Sequence, residues 1–367
     1  MAVEKKRESN IELFRVFMML LIVAHHYVVN SGLLDAIEHA PFGFKSAFLL
    51  IFGAWGKVGI NGFVLITGWY MCTSRITAKK FLKLLGEVVF YKLLIWLIFV
   101  ALGVEGFGLG SLLRAALPVR LVSSDFVDCF LVFYLLIPFL NILISAMDQK
   151  RHLLLLVLLF GVYTVLGSFP LYISVTFNYV SWFTVIYLLG AYLRLYREEP
   201  KMGCGLRFLL SVLAASASVV GIAYLKARFS FSIARYFFVN DANKLLAVLP
   251  AVYAFRFFQG LRLGYRKLIN IVASATFGVL LIHANSDAMR TWLWKTTLRN
   301  TEAFHQSWWL AHALLSVLAV YVVCTGIDLL RIYLLERPFF RWYERRKERF
   351  ESAIRQKADR LLDRCVK

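Results

Sequence analysis

Apolar residues in this chain run in long unbroken blocks, not in short alternating stretches. Ten blocks approach the roughly 20 residues a helix needs to cross a bilayer core of roughly 30 Å, with tolerance for tilt and breaks. They are 11–32, 48–72, 81–104, 125–146, 152–168, 179–196, 206–225, 243–259, 268–287 and 308–335. Hydrocarbon cannot satisfy a bare backbone, so spanning segments are helices or closed barrels, and continuous blocks select helices. The pattern predicts an all-α polytopic membrane protein, a bundle of about ten transmembrane helices. The second block is the least regular, because Gly53, Gly56, Lys57, Gly59, Asn61 and Gly62 interrupt it. That composition predicts a segment that is broken or leans into a cavity, since irregular backbone at membrane depth needs protein or water around it.

Composition agrees. Of 367 residues, 60% are hydrophobic and 17% charged, and mean hydropathy is +0.68, well past the apolar share of a soluble domain. The net charge of +20 does not point to nucleic acid. Much of it sits in short connections and in the C-terminal tail, as the positive-inside rule requires. One set of helix ends carries Lys5, Lys6, Arg7, Arg75, Lys79, Lys80, Lys150, Arg151, Arg194, Arg262 and Arg266, and is richer than the other. That set is read as cytoplasmic, so an even number of spans leaves both termini in the cytoplasm. Localisation to the cell membrane as a multi-pass protein follows. Residues 1–336 form the predicted membrane domain. Residues 337–367 form a basic tail whose Ile354, Leu361 and Leu362 recur at helical spacing, as in an amphipathic helix on an anionic leaflet.

The N-terminal basic cluster precedes a block that carries Glu12, Arg15, His25 and His26 and no small-residue cleavage site, so it is read as a retained first helix rather than a signal. Five scattered cysteines form no CxxC pair, which predicts neither disulfides nor a zinc site.

Ionisable groups inside spans are costly and therefore point to function. Arg15 and His26 are 11 positions apart. At about 100° per residue they project from one helix face, about 16 Å apart along the axis. Glu12 lies one turn before Arg15, close enough to orient it. An Arg near the mouth suits a phosphate or carboxylate, and a deep neutral imidazole suits proton abstraction from a hydroxyl. His283 is a candidate helper, Arg75, Lys79 and Lys80 are candidate phosphate partners, and no metal is implied. Glu87, Lys92, Asp125, Asp128, Asp287, His312, Asp328 and Arg331 are further intramembrane polar groups. Glu87 and Lys92 are five apart, which favours partners on other helices. No HExxH, GxSxG, Walker or Rossmann pattern occurs.

The segment IELFR at 11–15 with His26 resembles the R-x10-H signature of the acyltransferase-3 family, integral membrane enzymes that acylate glycans. In order along the chain, GINGFVLITG (59–68), the block from Phe130 to Asn141 with Tyr134 and Pro138, WFTVIYLLGAYLRLY (182–196), FGVLLIH (277–283) and LERP (335–338) also resemble family segments. The family block implies a bulkier residue where this chain has Gly62. The resemblance implies a ten-helix bundle and His26 as the catalytic histidine with Arg15 as its motif arginine. It implies acetyl-CoA or another acyl-CoA as donor substrate, with no permanently bound cofactor. The acceptor it implies is a hydroxyl of a glycan or lipid-linked saccharide, reached either directly or through a separate extracytoplasmic acyltransferase. A secondary transporter or flippase for a sugar or lipid-linked glycan is the rival reading, since intramembrane charges also build relays.

Overall fold

In a computed structural model of the protein, residues 8–120, 122, 125–169, 178–196, 203–229 and 234–346 are described. All regular structure among them is helical. The main helices are α1 (Ser9–Val29), α2 (Phe44–Gly53), α3 (Gly56–Met71), α4 (Ala78–Ala101), α5 (Phe126–Ser145), α6 (Gln149–Phe160), α7 (Tyr179–Leu195), α8 (Cys204–Phe229), α9 (Leu245–Gly260), α10 (Lys267–Ser274), α11 (Thr276–His283) and α12 (Trp309–Arg331). Each of the ten apolar blocks falls on one of these helices or on a consecutive pair. Among the described residues, seven helical stretches are long and apolar enough to cross a membrane. An eighth is added if Lys267–His283 and Asp287–Thr297, bent by 93°, count as one. The helices Tyr179–Leu195 and Leu245–Gly260 are apolar but shorter.

Local sequence explains where several helices start. The side chains of Thr77, Asp125 and Asp148 each accept a hydrogen bond from the backbone three residues on, and Asn178 with Ser181 forms a reciprocal capping box. Each such cap satisfies a backbone donor that the helix itself leaves free. The predicted break in the second block is real: α2 ends at Gly53, and α3 restarts at Gly56 after Ala54 and Trp55.

The centre of the bundle is set by how closely α3 approaches α1 and α7. A Cβ on Gly59 would lie 2.5 Å from the Ile22 side chain, and one on Gly62 would lie 2.4 Å from Met18 Sδ. A larger residue at position 62 would have to displace the Met18 side chain. On the opposite face, Cβ atoms on Gly68 or Gly190 would meet the Tyr187 or Leu65 carbonyl oxygen at 2.5 and 2.6 Å. Small residues permit such backbone approach where hydrophobic burial gives helices little reason to associate.

Polar side chains fasten the same junction. Asn61 Nδ2 donates to the carbonyls of Ala242 and Ala247, and its Oδ1 accepts from Trp182 Nε1 at 2.8 Å. Asn141 Nδ2 donates to the Met71 carbonyl, and its Oδ1 accepts from the Tyr187 hydroxyl at 2.6 Å. Both asparagines lie in stretches that carry the family resemblance, and in the structure they connect helices.

A buried ionic group joins α4 to α12. Arg331 reaches Asp328 at 2.7 Å, Glu336 at 2.9 Å and Glu87 at 3.0 Å. Tyr91 donates to Asp328, and Lys83 pairs with Glu336 at 2.6 Å. Gly278 of α11 makes room for it, since a Cβ there would lie 2.1 Å from Asp328 Cγ. Glu87 thus finds its partner on another helix, as its spacing from Lys92 implies. The helix that begins at Trp309 continues to Arg346, through the predicted boundary after residue 336. Residues 347–367, including Ile354, Leu361 and Leu362, lie outside the described residues, as do Lys5, Lys6 and Arg7.

Candidate active site

Three helices meet at the end of α1 remote from Ser9: α1 itself, the restart of α3 and the end of α11. A Cβ on Gly56 would lie 2.4 Å from the His25 ring, so only glycine lets that imidazole rest on the backbone of α3. His25 Nδ1 lies 2.5 Å from the Gly53 carbonyl oxygen. A carbonyl only accepts, so His25 Nδ1 carries the proton. This bond ties α1 to the last residue of α2.

His26 turns the other way, toward α11. Its Nδ1 lies 2.9 Å from His283 Nε2, and His283 Nδ1 lies 2.6 Å from the Val279 carbonyl oxygen. Hydrogen positions follow from acceptor chemistry. Val279 can only accept, so His283 Nδ1 donates and, in the neutral ring, Nε2 accepts. His26 Nδ1 must then donate to His283. The remaining nitrogen, His26 Nε2, keeps its lone pair. His283 is fully buried, whereas His26 is half-buried. The inner imidazole is a fixed support and the outer one presents a base.

His25 and His26 line a cavity of about 230 Å³. From α1 it takes Ile22, His25 and His26, and from α3 Gly56, Lys57 and Ile60. Lys92, Asp125, Tyr179, Asn285 and Arg290 close its polar side. A second cavity of about 330 Å³ shares Lys92, Asp125, Asn285 and Arg290 with it and continues past Arg114, Arg120, Asp128 and Asp287. Lys92 pairs with Asp128 at 2.8 Å, and Arg290 pairs with Asp287 at 2.6 Å. Together the cavities form a polar path from the histidines to the remote end of the bundle.

The other residues singled out from sequence lie elsewhere. Arg15 sits near the opposite end of α1, about a quarter exposed, 3.4 Å from Glu12. The cavity lining on α1 begins at Ile22, so the guanidinium and the His26 imidazole do not share this cavity. Lys79 pairs with Glu344 at 2.7 Å, Lys80 donates to Ser74 Oγ and the Arg75 carbonyl, and Arg75 is exposed. These three lie at the same end of α3 and α4 as Arg15. His312 bonds the Tyr27 hydroxyl at 2.8 Å. Sequence reasoning placed Lys57 in a block expected to be broken or to lean into a cavity but gave it no role, and it missed Tyr179 and Arg290 as cavity residues. Among the described residues no group of His, Cys, Asp and Glu could hold a metal ion.

An imidazole pair with one free ring nitrogen, facing a polar cavity inside an apolar helix bundle, is suited to removing a proton from a hydroxyl. No curated protein and no solved structure matched the chain when compared. A family model described as an acyltransferase domain matches residues 8–328, nearly the whole helical bundle, and the chain therefore belongs to the acyltransferase-3 family and is a multi-pass membrane acyltransferase.

Proposed function

We propose that the protein is an O-acyltransferase of the cell membrane. It moves an acetyl or other acyl group from a cytoplasmic acyl-CoA to a hydroxyl of a surface or exported glycan. The observation that carries this reading is the His283–His26 hydrogen bond, which leaves His26 Nε2 free beside a polar cavity. In this reading ten helices cross the bilayer with both termini in the cytoplasm. The Arg15 end of α1 then faces the cytoplasm, and the two joined cavities open toward the other side.

The donor is gripped at the Arg15 end, where Arg75, Lys79 and Lys80 add positive charge beside the CoA phosphates. Its flexible arm carries the thioester inward to His26. Because the cavity lining on α1 stops at Ile22, the arm must part side chains between Arg15 and Ile22 to arrive. The acceptor enters from the opposite end through the second cavity. His26 Nε2 removes the hydroxyl proton as the oxygen attacks, while His283 holds the tautomer. Holding both reactants in a dry cavity supplies much of the acceleration.

The decisive assay is acyl transfer in membranes containing His26→Ala. Activity should fall to background with protein level unchanged. Wild-type turnover in that variant removes the mechanism. A transporter gains no support from these observations, since the matched family domain is an acyltransferase. Binding of acyl-CoA by purified protein separates the two directly.

A further inference from the structure

The cavity beside His26 is lined by three cations, and they are not alike. Lys92 is neutralised by Asp128 at 2.8 Å and also donates to the Pro118 carbonyl. Arg290 is neutralised by Asp287. Lys57 has no such partner. Its Nζ donates to the Tyr179 hydroxyl at 2.5 Å and lies 5.2 Å from the centroid of the same ring. Among the described residues no carboxylate pairs with it. An ammonium held inside an apolar bundle without a counter-charge is unfavourable, and it persists where function supplies the anion. Neither histidine can be that anion.

Position sharpens the point. Lys57 follows Gly56, the residue on which the His25 ring rests, so it is at the first turn of α3, directly beside the histidine pair. We infer that Lys57 is the residue that stabilises the oxyanion of acyl transfer in this site. This rests on the acyltransfer reading above.

The step balances as follows. His26 Nε2 takes the acceptor proton, and the hydroxyl oxygen bonds to the thioester carbon. The carbonyl π pair moves onto oxygen, giving an oxyanion that the Lys57 ammonium holds by charge and hydrogen bond. Collapse restores the C=O bond and breaks the C–S bond. The departing thiolate takes the proton back from the His26 imidazolium. Nothing is oxidised or reduced, and no further reactant is needed. Tyr179 positions Lys57 through its hydroxyl and ring face.

The test is steady-state kinetics of Lys57→Met, Lys57→Arg and His26→Ala in detergent-solubilised enzyme, with melting temperature recorded for each. Lys57→Met should lower kcat by roughly 10²- to 10³-fold, the loss typical for one oxyanion donor. KM for acyl-CoA and for acceptor should stay within about threefold of wild type, because the charge it answers exists only in the transition state. Lys57→Arg should recover at least about tenfold of that loss. If Lys57→Met does not accumulate, Lys57→Gln takes its place with the same expected drop in kcat. Wild-type kcat in either neutral variant overturns the assignment. So does a loss confined to KM, which would mean that Lys57 answers an anionic group already present on donor or acceptor. His26→Ala separates the two levels. If it is inactive while Lys57→Met is fully active, only the Lys57 role falls. If His26→Ala turns over normally, the site's acyltransfer chemistry falls and the Lys57 role with it.

Discussion

The two adjacent histidines of α1 do different things because their rings meet different neighbours. His25 closes on the Gly53 carbonyl over Gly56, which makes it a hinge pin between α1 and the α2–α3 break. His26 is oriented by His283, whose own proton is fixed by Val279. The value of His283 is thus the tautomer it imposes. His283→Gln can keep the bulk of the ring but does not guarantee a bare acceptor opposite His26 Nδ1. Its turnover should fall by roughly 10²-fold, with acyl-CoA binding unchanged, as kinetics alongside a binding isotherm would read. Equal turnover in variant and wild type would show that His26 needs no orienting partner. Arg15 belongs to the other end of the same helix. On the proposed reading, in which Arg15 grips the donor's head and not the reacting carbon, Arg15→Ala should raise KM for acyl-CoA more than it lowers kcat. A pure kcat effect would contradict that assignment.

Helix packing here is governed by where side chains are missing. Gly59 and Gly62 bring α3 onto α1, while Gly68 and Gly190 bring α3 onto α7. A methyl at Gly68 would meet the Tyr187 carbonyl at 2.5 Å, and backbone cannot swing aside as a side chain can. Gly68→Ala should therefore destabilise the bundle by about 1–3 kcal/mol, visible as a lower melting temperature in detergent. Gly161→Ala, where a Cβ meets nothing within 4 Å, is the matched control and should be near neutral. The break between α2 and α3 follows the same logic. Glycine at Gly53 and Gly56 lets Val28 and His25 approach the chain, and the interruption brings Lys57 to the cavity wall.

Across the molecule, charge is used at two depths. The Arg331 group sets three carboxylates, Glu87, Asp328 and Glu336, around one buried guanidinium. Removing it by Arg331→Met leaves those carboxylates without their centre and should cost about 3–5 kcal/mol, far more than the exposed pair Lys79–Glu344 is worth. Thermal unfolding or accumulation in membranes would measure the difference. At the other end, Glu38 lies between Lys226 and Arg235. The hydrogen bond from Lys226 and the Arg235 charge hold its carboxyl below the ordinary 4.5. A depressed carboxylate favours the folded state above its unfolded pKa and loses that contribution as pH falls through the folded value. The contact from Glu38 to the end of α8 should therefore loosen only below about pH 4.5, and Glu38→Gln should remove that acid limb from a protease-accessibility profile.

The sequence by itself determined the membrane class, the position of every apolar segment, the break in the second one and the pairing of Arg15 with Glu12. These follow from composition, helical period and short-range geometry, which act between residues close in the chain. It also singled out His26 and His283, through the rarity of ionisable groups at such depth and the ordered family resemblance. Only the tertiary structure decided that those two rings touch, because they are 257 positions apart and no local rule brings them together. The same holds for Lys57, which pairs with no carboxylate among the described residues and donates instead to Tyr179, 122 positions away. A helix period says which way a side chain points, but not what it meets there. That is why Arg15 and His26 read as one site along the helix and occupy separate surroundings in space.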